Sequence, residues 1–316
     1  MPYNPSFIKG HTVPLPIISD RGLIAPLKAG GTQLEYLHHS VVMNKKRRFA
    51  FYAASNIEGN TWKPVERKGS FRKDDRMEEK FQFGDELYNA ISGGGRPNDF
   101  DEGHLTSYQE VLWGKEKEQR EIAGKDTFHF TNCVPQHGLL NRGAWKSLEQ
   151  YVTKTGADKT NLNVSVLTGP LFDTIDPFYI KKIEGQLIRI PVTFWKVIYY
   201  KGPSGLSAVG FMMNHKGLLL DEETVTYNED EVQERGLEEE DIMQMFPKAS
   251  TYQVEVKLIE KLTKFKFHLD GVNQPYKQTK KENKEIVFKR IEIERTDERG
   301  LDEEEPLNYR LDGLEL

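Results

Sequence analysis

The chain has 316 residues, with 44 Lys+Arg against 49 Asp+Glu, 37% hydrophobic residues and a single cysteine, Cys133. That is enough for one large or two ordinary domains with a substantial core, and 17 Phe, 13 Tyr and 4 Trp exclude global disorder and low-complexity or collagen-like sequence. One cysteine can neither close an intrachain disulfide nor supply a thiolate zinc cage. No apolar run approaches the roughly 20 residues of a membrane helix, and the segment Met1 to Asp20 lacks the basic and apolar regions of a secretory signal, so the expected location is cytoplasmic, with no membrane partner.

Alternation and β-branching predict strands at Ser40 to Met43, Phe49 to Ala53, Phe128 to Thr131, Val164 to Leu167, Leu187 to Ile190, Phe194 to Tyr200, Leu206 to Met212 and Gln253 to Leu258. The clearest helix is predicted from about Arg142 to Thr155, where Trp145, Leu148 and Val152 form one apolar stripe. Strands dominate, and no repeat of solenoid or propeller period is present. Gly217 to Gln244 reads as a polar, acidic excursion with helical potential. Lys277 to Leu316 turns to charged sequence with few aromatics and one predicted strand at Glu285 to Ile293. The compact domain is therefore expected at 5–275, with 276–316 a charged C-terminal appendage.

The net charge of −5 hides a segregation of sign. Val41 to Met77 carries ten basic residues against four acidic ones, a local +6. Asp221 to Asp241 carries eleven acidic residues and only Arg235, a local −10, and Ile291 to Leu316 has ten against three, a local −7. Such runs are ordinarily solvated faces, but a basic stretch beside two acidic ones also suits an anion-binding surface that the acidic segments could cover.

Three polar clusters lie close in sequence: Asp101-Glu102-Gly103-His104, Asn132-Cys133-Val134-Pro135-Gln136-His137, and Asn141-Arg142-Gly143 with Glu149 on the predicted helix. Metal-assisted phosphodiester hydrolysis needs a base to deprotonate water, a hard oxygen ligand for a divalent cation, and acceptors for the cation's remaining waters. His104 suits the base. Asn141 offers a neutral carbonyl oxygen of the kind Mg²⁺ accepts, and Glu149, two helical turns on, can accept from a metal-bound water. Each residue also has a plainer reading: His104 as a turn or core residue, Asn141 as an N-cap, Asn132 as a turn residue and Glu149 as a surface acid.

The run FDEGHL (Phe100 to Leu105), Trp113-Gly114, DTFHFTNCVPQHGLLNRGAWKSLEQYV (Asp126 to Val152), LEYLHHSVVMNKKRRFAFYAASNIEG (Leu34 to Gly59), SVLTGPLF (Ser165 to Phe172), IRIPVTFWKV (Ile188 to Val197) and YQVEVKLIEKLTKFKF (Tyr252 to Phe267) together resemble the DNA/RNA non-specific endonuclease family, the ββα-metal nucleases. The resemblance implies an α+β fold, a central, mainly antiparallel β-sheet flanked by helices with a ββα-metal motif. It implies His104 as general base, Asn141 as direct metal ligand, Glu149 holding a metal-bound water, and Asn132 with Gln136 supporting the site around the scissile phosphate. Mg²⁺, with Mn²⁺ as substitute, is the implied cofactor; DNA and RNA are the implied substrates, with 5′-phosphate products, and a homodimer is the expected assembly.

The family's Asp-Arg-Gly-His signature keeps its Asp at Asp101 but has Glu102 in place of Arg. The family also sets an upstream arginine against phosphate, for which Arg67 and Arg72 are the candidates. The expectation is a metal-dependent, sequence-non-specific endonuclease. The alternatives are a catalytically impaired nucleic-acid-binding module, motivated by Glu102, and an interaction protein docking a partner through its acidic segments.

Overall fold

The computed structural model describes residues 1–88, 100–153, 162–227 and 251–276, with the backbone of two further strands at 289–295 and 309–312. In chain order the strands are β1 (Ile17–Ile18), β2 (Gln33–Tyr36), β3 (His39–Met43), β4 (Ala50–Glu58), β5 (Asp101–His104), β6 (Cys133–Gln136), β7 (Asn163–Leu171), β8 (Phe178–Tyr179), β9 (Thr193–Gly202), β10 (Gly205–Asn214), β11 (Val225–Thr226), β12 (Thr251–Val254), β13 (Phe265–Lys266), β14 (Lys289–Arg295) and β15 (Tyr309–Asp312). The described α-helices are α1 (Asp85–Tyr88), α2 (Lys117–Asp126), α3 (Lys146–Gln150), α4 (Lys216–Asp221) and α5 (Val256–Thr263).

Nine strands form one sheet in the order β15-β14-β12-β10-β9-β7-β4-β3-β2, and every neighbouring pair is antiparallel. The fold is thus α+β with a large antiparallel sheet. Both faces of the central strands are buried, and side chains alternate between two cores. In β9, Phe194 and Ile198 face one side, and Trp195, Val197 and Tyr199 face the other. Burying each such side chain contributes about 1.5–3 kcal/mol, so the register of β9 is strongly specified. The β9–β10 hairpin turns through Pro203 and Ser204, with Gly205 at φ +115°, a conformation that favours glycine. Helix α5 buries Val256 and Ile259 against the second core, whereas the β5–β6 pair and α3 lie with the first, through Leu105, Cys133, Val134, Trp145 and Leu148.

Several elements depart from expectation. Phe128 to Thr131 is not a strand: Phe130–Asn132 is a short 3-10 turn, and the strand begins afterwards at Cys133. The alternating rings of Phe128 and Phe130 are satisfied by packing on Phe71, at centroid distances of 5.3 and 5.4 Å, rather than by a ladder. Leu187 to Ile190 makes only an isolated bridge between Arg189 and Phe178, because a turn precedes it and Pro191 follows. Gln253 to Leu258 merges two elements, β12 ending at Val254 and α5 starting at Val256. The predicted 142–155 helix starts earlier, with a wide π-type turn over Leu140–Trp145 broken at Gly143 (φ −104°, ψ −109°), before α3. The strand expected at Glu285 to Ile293 is found slightly later, as β14, which pairs with β12.

Asn132 holds the β5–β6 region together. Its Oδ1 accepts from the Thr106 amide at 3.0 Å, and its Nδ2 donates to the Thr106 carbonyl at 2.9 Å and the Thr127 carbonyl at 3.1 Å, in a fully buried position. Truncating it strands three backbone groups, each costing about 1–3 kcal/mol when left unpaired and buried. Asn132→Ala is expected to lower the unfolding free energy by about 3 kcal/mol or more, read as a shift in the urea midpoint at unchanged m-value.

Candidate active site

Strands β5 and β6 pair antiparallel, with His104 opposite Cys133 and Asp101 opposite Gln136, and the helical segment follows β6 almost at once. Two strands and a helix therefore present Asp101, His104, Asn141 and Glu149 from one compact unit. Asp101 ties strand to helix: Asn141 Nδ2 donates to its Oδ2 at 3.0 Å and Arg142 Nη1 to its Oδ1 at 3.2 Å. A carboxylate only accepts, so the amide must offer its NH₂ to Asp101 and turn its carbonyl oxygen away.

His104 is buried, its ring 4.9 Å from Phe71 and edge-on to Phe128 at 5.3 Å. Burial first, then the Arg67 charge, lower its pKa to about 3, against a hydrogen bond with the Glu102 backbone that favours protonation. The imidazole is neutral near pH 7, and its Nε2 is buried with no hydrogen-bond partner among the described residues. On α3, burial raises the Glu149 carboxyl to about 8, opposed by Lys196 and reinforced by Glu110. Glu149 Oε1 also lacks a hydrogen-bond partner. Gln136 leaves both amide atoms unpartnered and fully buried. It lies over Gly103, where a Cβ would fall 2.3 Å from Gln136 Oε1.

The two candidate arginines separate. The Arg67 guanidinium stands over Phe128 at 5.4 Å and Tyr108 at 5.9 Å, and its charge acts on both His104 and Glu149. Arg72 instead donates to the Lys125 carbonyl at 3.2 Å and acts on His129. Much of the basic 41–77 stretch is neutralised: Arg47 pairs with Asp176 at 2.5 Å, Arg48 with Glu184 at 3.1 Å, Lys73 with Glu86 at 3.1 Å and Arg76 with Asp74 at 2.6 Å. It is not one free cationic face. Glu102, half-buried, adds negative charge near Cys133 and Tyr88. Most of the acidic 221–241 and 291–316 segments lies outside the described residues, although Glu222 meets His137 Nε2 at 2.9 Å.

Among the described residues no group of three or more His, Cys, Asp or Glu side chains is spaced to hold a metal, and no helix is long and apolar enough to cross a membrane. The available donors are the Asn141 carbonyl and the Glu149 carboxyl. One neutral oxygen and one carboxylate oxygen are the kind of donors that suit a divalent cation keeping most of its waters.

The profile of the DNA/RNA non-specific endonuclease family matches residues 23–274. The chain belongs to this family. Members of this nuclease family hydrolyse phosphodiester bonds. Uncharacterized protein y4fB of Sinorhizobium fredii is 37% identical over 224 residues, 66% of this chain and 32% of that protein. Mitochondrial endonuclease G of Homo sapiens is 30% identical over 145 residues, 44% of each chain, and that of Bos taurus 32% over 124 residues, 37% of this chain and 39% of that one. The chain thus spans about a third to under half the length of these relatives. A chain of the crystal structure of the EndoG/EndoGI complex superposes with a TM-score of 0.49 at 18% identity, over 75% of this chain and 86% of that one.

Two buried residues escape a sequence reading of this nuclease site, Glu110 and Lys196. The available signal for the second is a lysine at a core-facing position inside the apolar strand TFWKVIYY.

Burial also sets the protein's acid sensitivity. His39, His104 and His215 are lowered to about 3 and His38 to about 4, chiefly by burial. An unfolded histidine titrates near 6.5, so the unfolded chain binds more protons and stability falls as the pH is lowered from about 6.5 towards 3. Glu149 and Asp176, raised to about 8 and about 6, act in the opposite sense, but four histidines outweigh two carboxyls. The urea midpoint is expected to drop between pH 6.5 and pH 4.5, with proton uptake on unfolding.

Proposed function

We propose that this chain is a metal-dependent endonuclease that cleaves DNA and RNA without sequence preference. The observation that carries the reading is a buried, neutral His104 with an unpartnered Nε2, built into the same two-strand-and-helix unit as an Asn141 carbonyl freed by Asp101. Asn141 would hold Mg²⁺, or Mn²⁺ in its place, with Glu149 accepting from a water of its shell. When bound, the ion would supply positive charge against the phosphate oxygens.

His104 acts as general base. Its Nε2 takes a proton from the attacking water, whose oxygen bonds to phosphorus as the bond to the leaving 3′ oxygen breaks; that oxygen takes a proton from a solvent water, giving a 5′-phosphate and a 3′-hydroxyl. Holding the imidazole neutral keeps it ready at neutral pH, and the flanking Phe71 and Phe128 restrict its orientation. Arg67 is the favoured candidate to meet the phosphate and stabilise charge developing there, a reading supported by its charge acting on both His104 and Glu149. Asn132 contributes by fixing backbone, its amide being spent on Thr106 and Thr127. Contacts of this kind go to the sugar-phosphate backbone, which carries no base information directly, so low sequence preference follows.

His104→Ala is expected to lower plasmid cleavage in Mg²⁺ by about 10²–10⁴-fold, with DNA binding retained, and EDTA to abolish cleavage by the parental protein. Gel-based initial rates and filter binding measure both. Cleavage by the variant within a few-fold of the parent would remove His104 from the base role, and binding without turnover by the parent would favour the impaired-binder reading.

Arg67→Ala and Arg72→Ala form a matched pair. The first is expected to raise KM and lower kcat, and to flatten the salt dependence of KM because one phosphate contact is lost. The second is expected to stay within about twofold, as an exposed side chain engaged with a carbonyl. Rates at two ionic strengths distinguish them, and the reverse ranking would reassign the phosphate contact to Arg72.

A further inference from the structure

Beneath the site, four polar side chains cross the first core. Ser55 Oγ of β4 donates to Glu110 Oε2 at 2.7 Å, Lys196 Nζ of β9 donates to Glu110 Oε1 at 3.0 Å, and the same Nζ lies 3.9 Å from Glu149 Oε1. Glu110 and Lys196 are both fully buried. Lys196 shares its strand face with Phe194 and Ile198, where an apolar residue would be expected, and its Nζ stands 5.1 Å from the Trp145 ring. As a stability device the arrangement is poor, because replacing a buried ion pair by packed apolar side chains is often neutral or stabilising. What it supplies is a cation that cannot swing away: one bond to Glu110, itself held by Ser55, leaves the ammonium facing a carboxylate oxygen that has no hydrogen-bond partner among the described residues.

We propose that Lys196, anchored by Glu110, is a positioning residue that fixes the Glu149 carboxylate in the orientation its role requires. The inference rests on the nuclease reading through Glu149 and deepens it, extending the site inward to β4 and β9. Lys196 touches neither substrate nor the reacting atoms. Its effect passes through Glu149, so it should vanish when Glu149 can no longer carry a charge.

The test is a cycle between Glu149→Gln and the neutral pair Glu110→Gln/Lys196→Met, which removes both buried charges together and keeps an amide for Ser55. Lys196→Met alone is unsuitable, since it strands the Glu110 charge. Each protein is assayed for its thermal midpoint, for kcat and KM on plasmid, and for Mn²⁺ affinity without nucleic acid from the electron paramagnetic resonance of the free ion. The neutral pair is expected to melt cooperatively, to lose about tenfold or more in kcat with KM within about twofold, and to bind Mn²⁺ more weakly. In the Glu149→Gln background it is expected to add nothing further. Glu110→Gln alone, which keeps the lysine but removes its anchor, should show a smaller loss of the same kind and covers the case in which the pair variant does not fold.

Parental kcat and Mn²⁺ affinity in these variants, or losses that add fully to those of Glu149→Gln, would overturn the proposal and leave Lys196 as the counter-ion of Glu110. A parental protein that cuts nothing would sink the nuclease reading instead, and the Mn²⁺ cycle alone would then decide the coupling.

Discussion

The arrangement depends on three hydrogen bonds made by one buried amide. Asn132 joins the backbone at Thr106, just after β5, to that at Thr127, just after α2, so the segment between the two site strands is closed at its base. A long connection between paired strands would otherwise leave their register weakly determined. With the clamp in place His104 sits opposite Cys133, Gly103 accepts the Gln136 side chain over its bare Cα, and Asp101 reaches Asn141. The same clamp sets Phe128 and Phe130 against Phe71, which turns an aromatic cluster into one wall of the His104 pocket.

The electrostatics follow from burial more than from net charge. Burial keeps the His104 imidazole neutral, with the Arg67 charge acting in the same direction, while burial also raises the Glu149 carboxyl on α3 and the Lys196 charge opposes that rise. The exposed charges behave differently. Five of the ten cations of the 41–77 stretch pair with carboxylates, Arg47 and Arg76 with the buried Asp176 and Asp74, and Lys68 with Glu66 in an exposed pair that contributes modestly. Arg67 rests on the rings of Tyr108 and Phe128, and its charge acts on both His104 and Glu149.

Elements with a plain period were legible in the sequence. Strands β4, β7, β9 and β10 announce themselves because both of their faces are buried and nearly every position is apolar or β-branched. Errors arose where burial and backbone pairing part company. Phe128 and Phe130 alternate as strand residues do, yet their rings serve an aromatic cluster beside a turn. Across Gln253 to Leu258, a strand and a helix meet at Glu255 with no Gly or Pro to mark the junction. The helix bearing Glu149 was visible from its apolar stripe, but the wide turn at Gly143 was not, because a π-type turn alters the register without altering composition. Local clusters supplied His104, Asn141 and Glu149, whereas Glu110 and Lys196 could not be found from spacing. They lie on elements remote in sequence and meet only across the sheet.

Glu102 acquires a physical setting from this geometry. Alternation along β5 puts its side chain on the same strand face as that of His104, and its negative charge is felt by the buried Tyr88 and Cys133. Around the site Asp101 is offset by Arg142, and Glu110 by Lys196, which leaves Glu102 against Arg67. Replacing the signature arginine by glutamate therefore changes the local balance by two charges in a place with few exposed cations to spare. A polyanion approaching this surface would meet less fixed positive charge than an arginine at position 102 would provide. The substitution therefore bears first on the charge presented at this surface, while the neutral state of His104 follows chiefly from its burial.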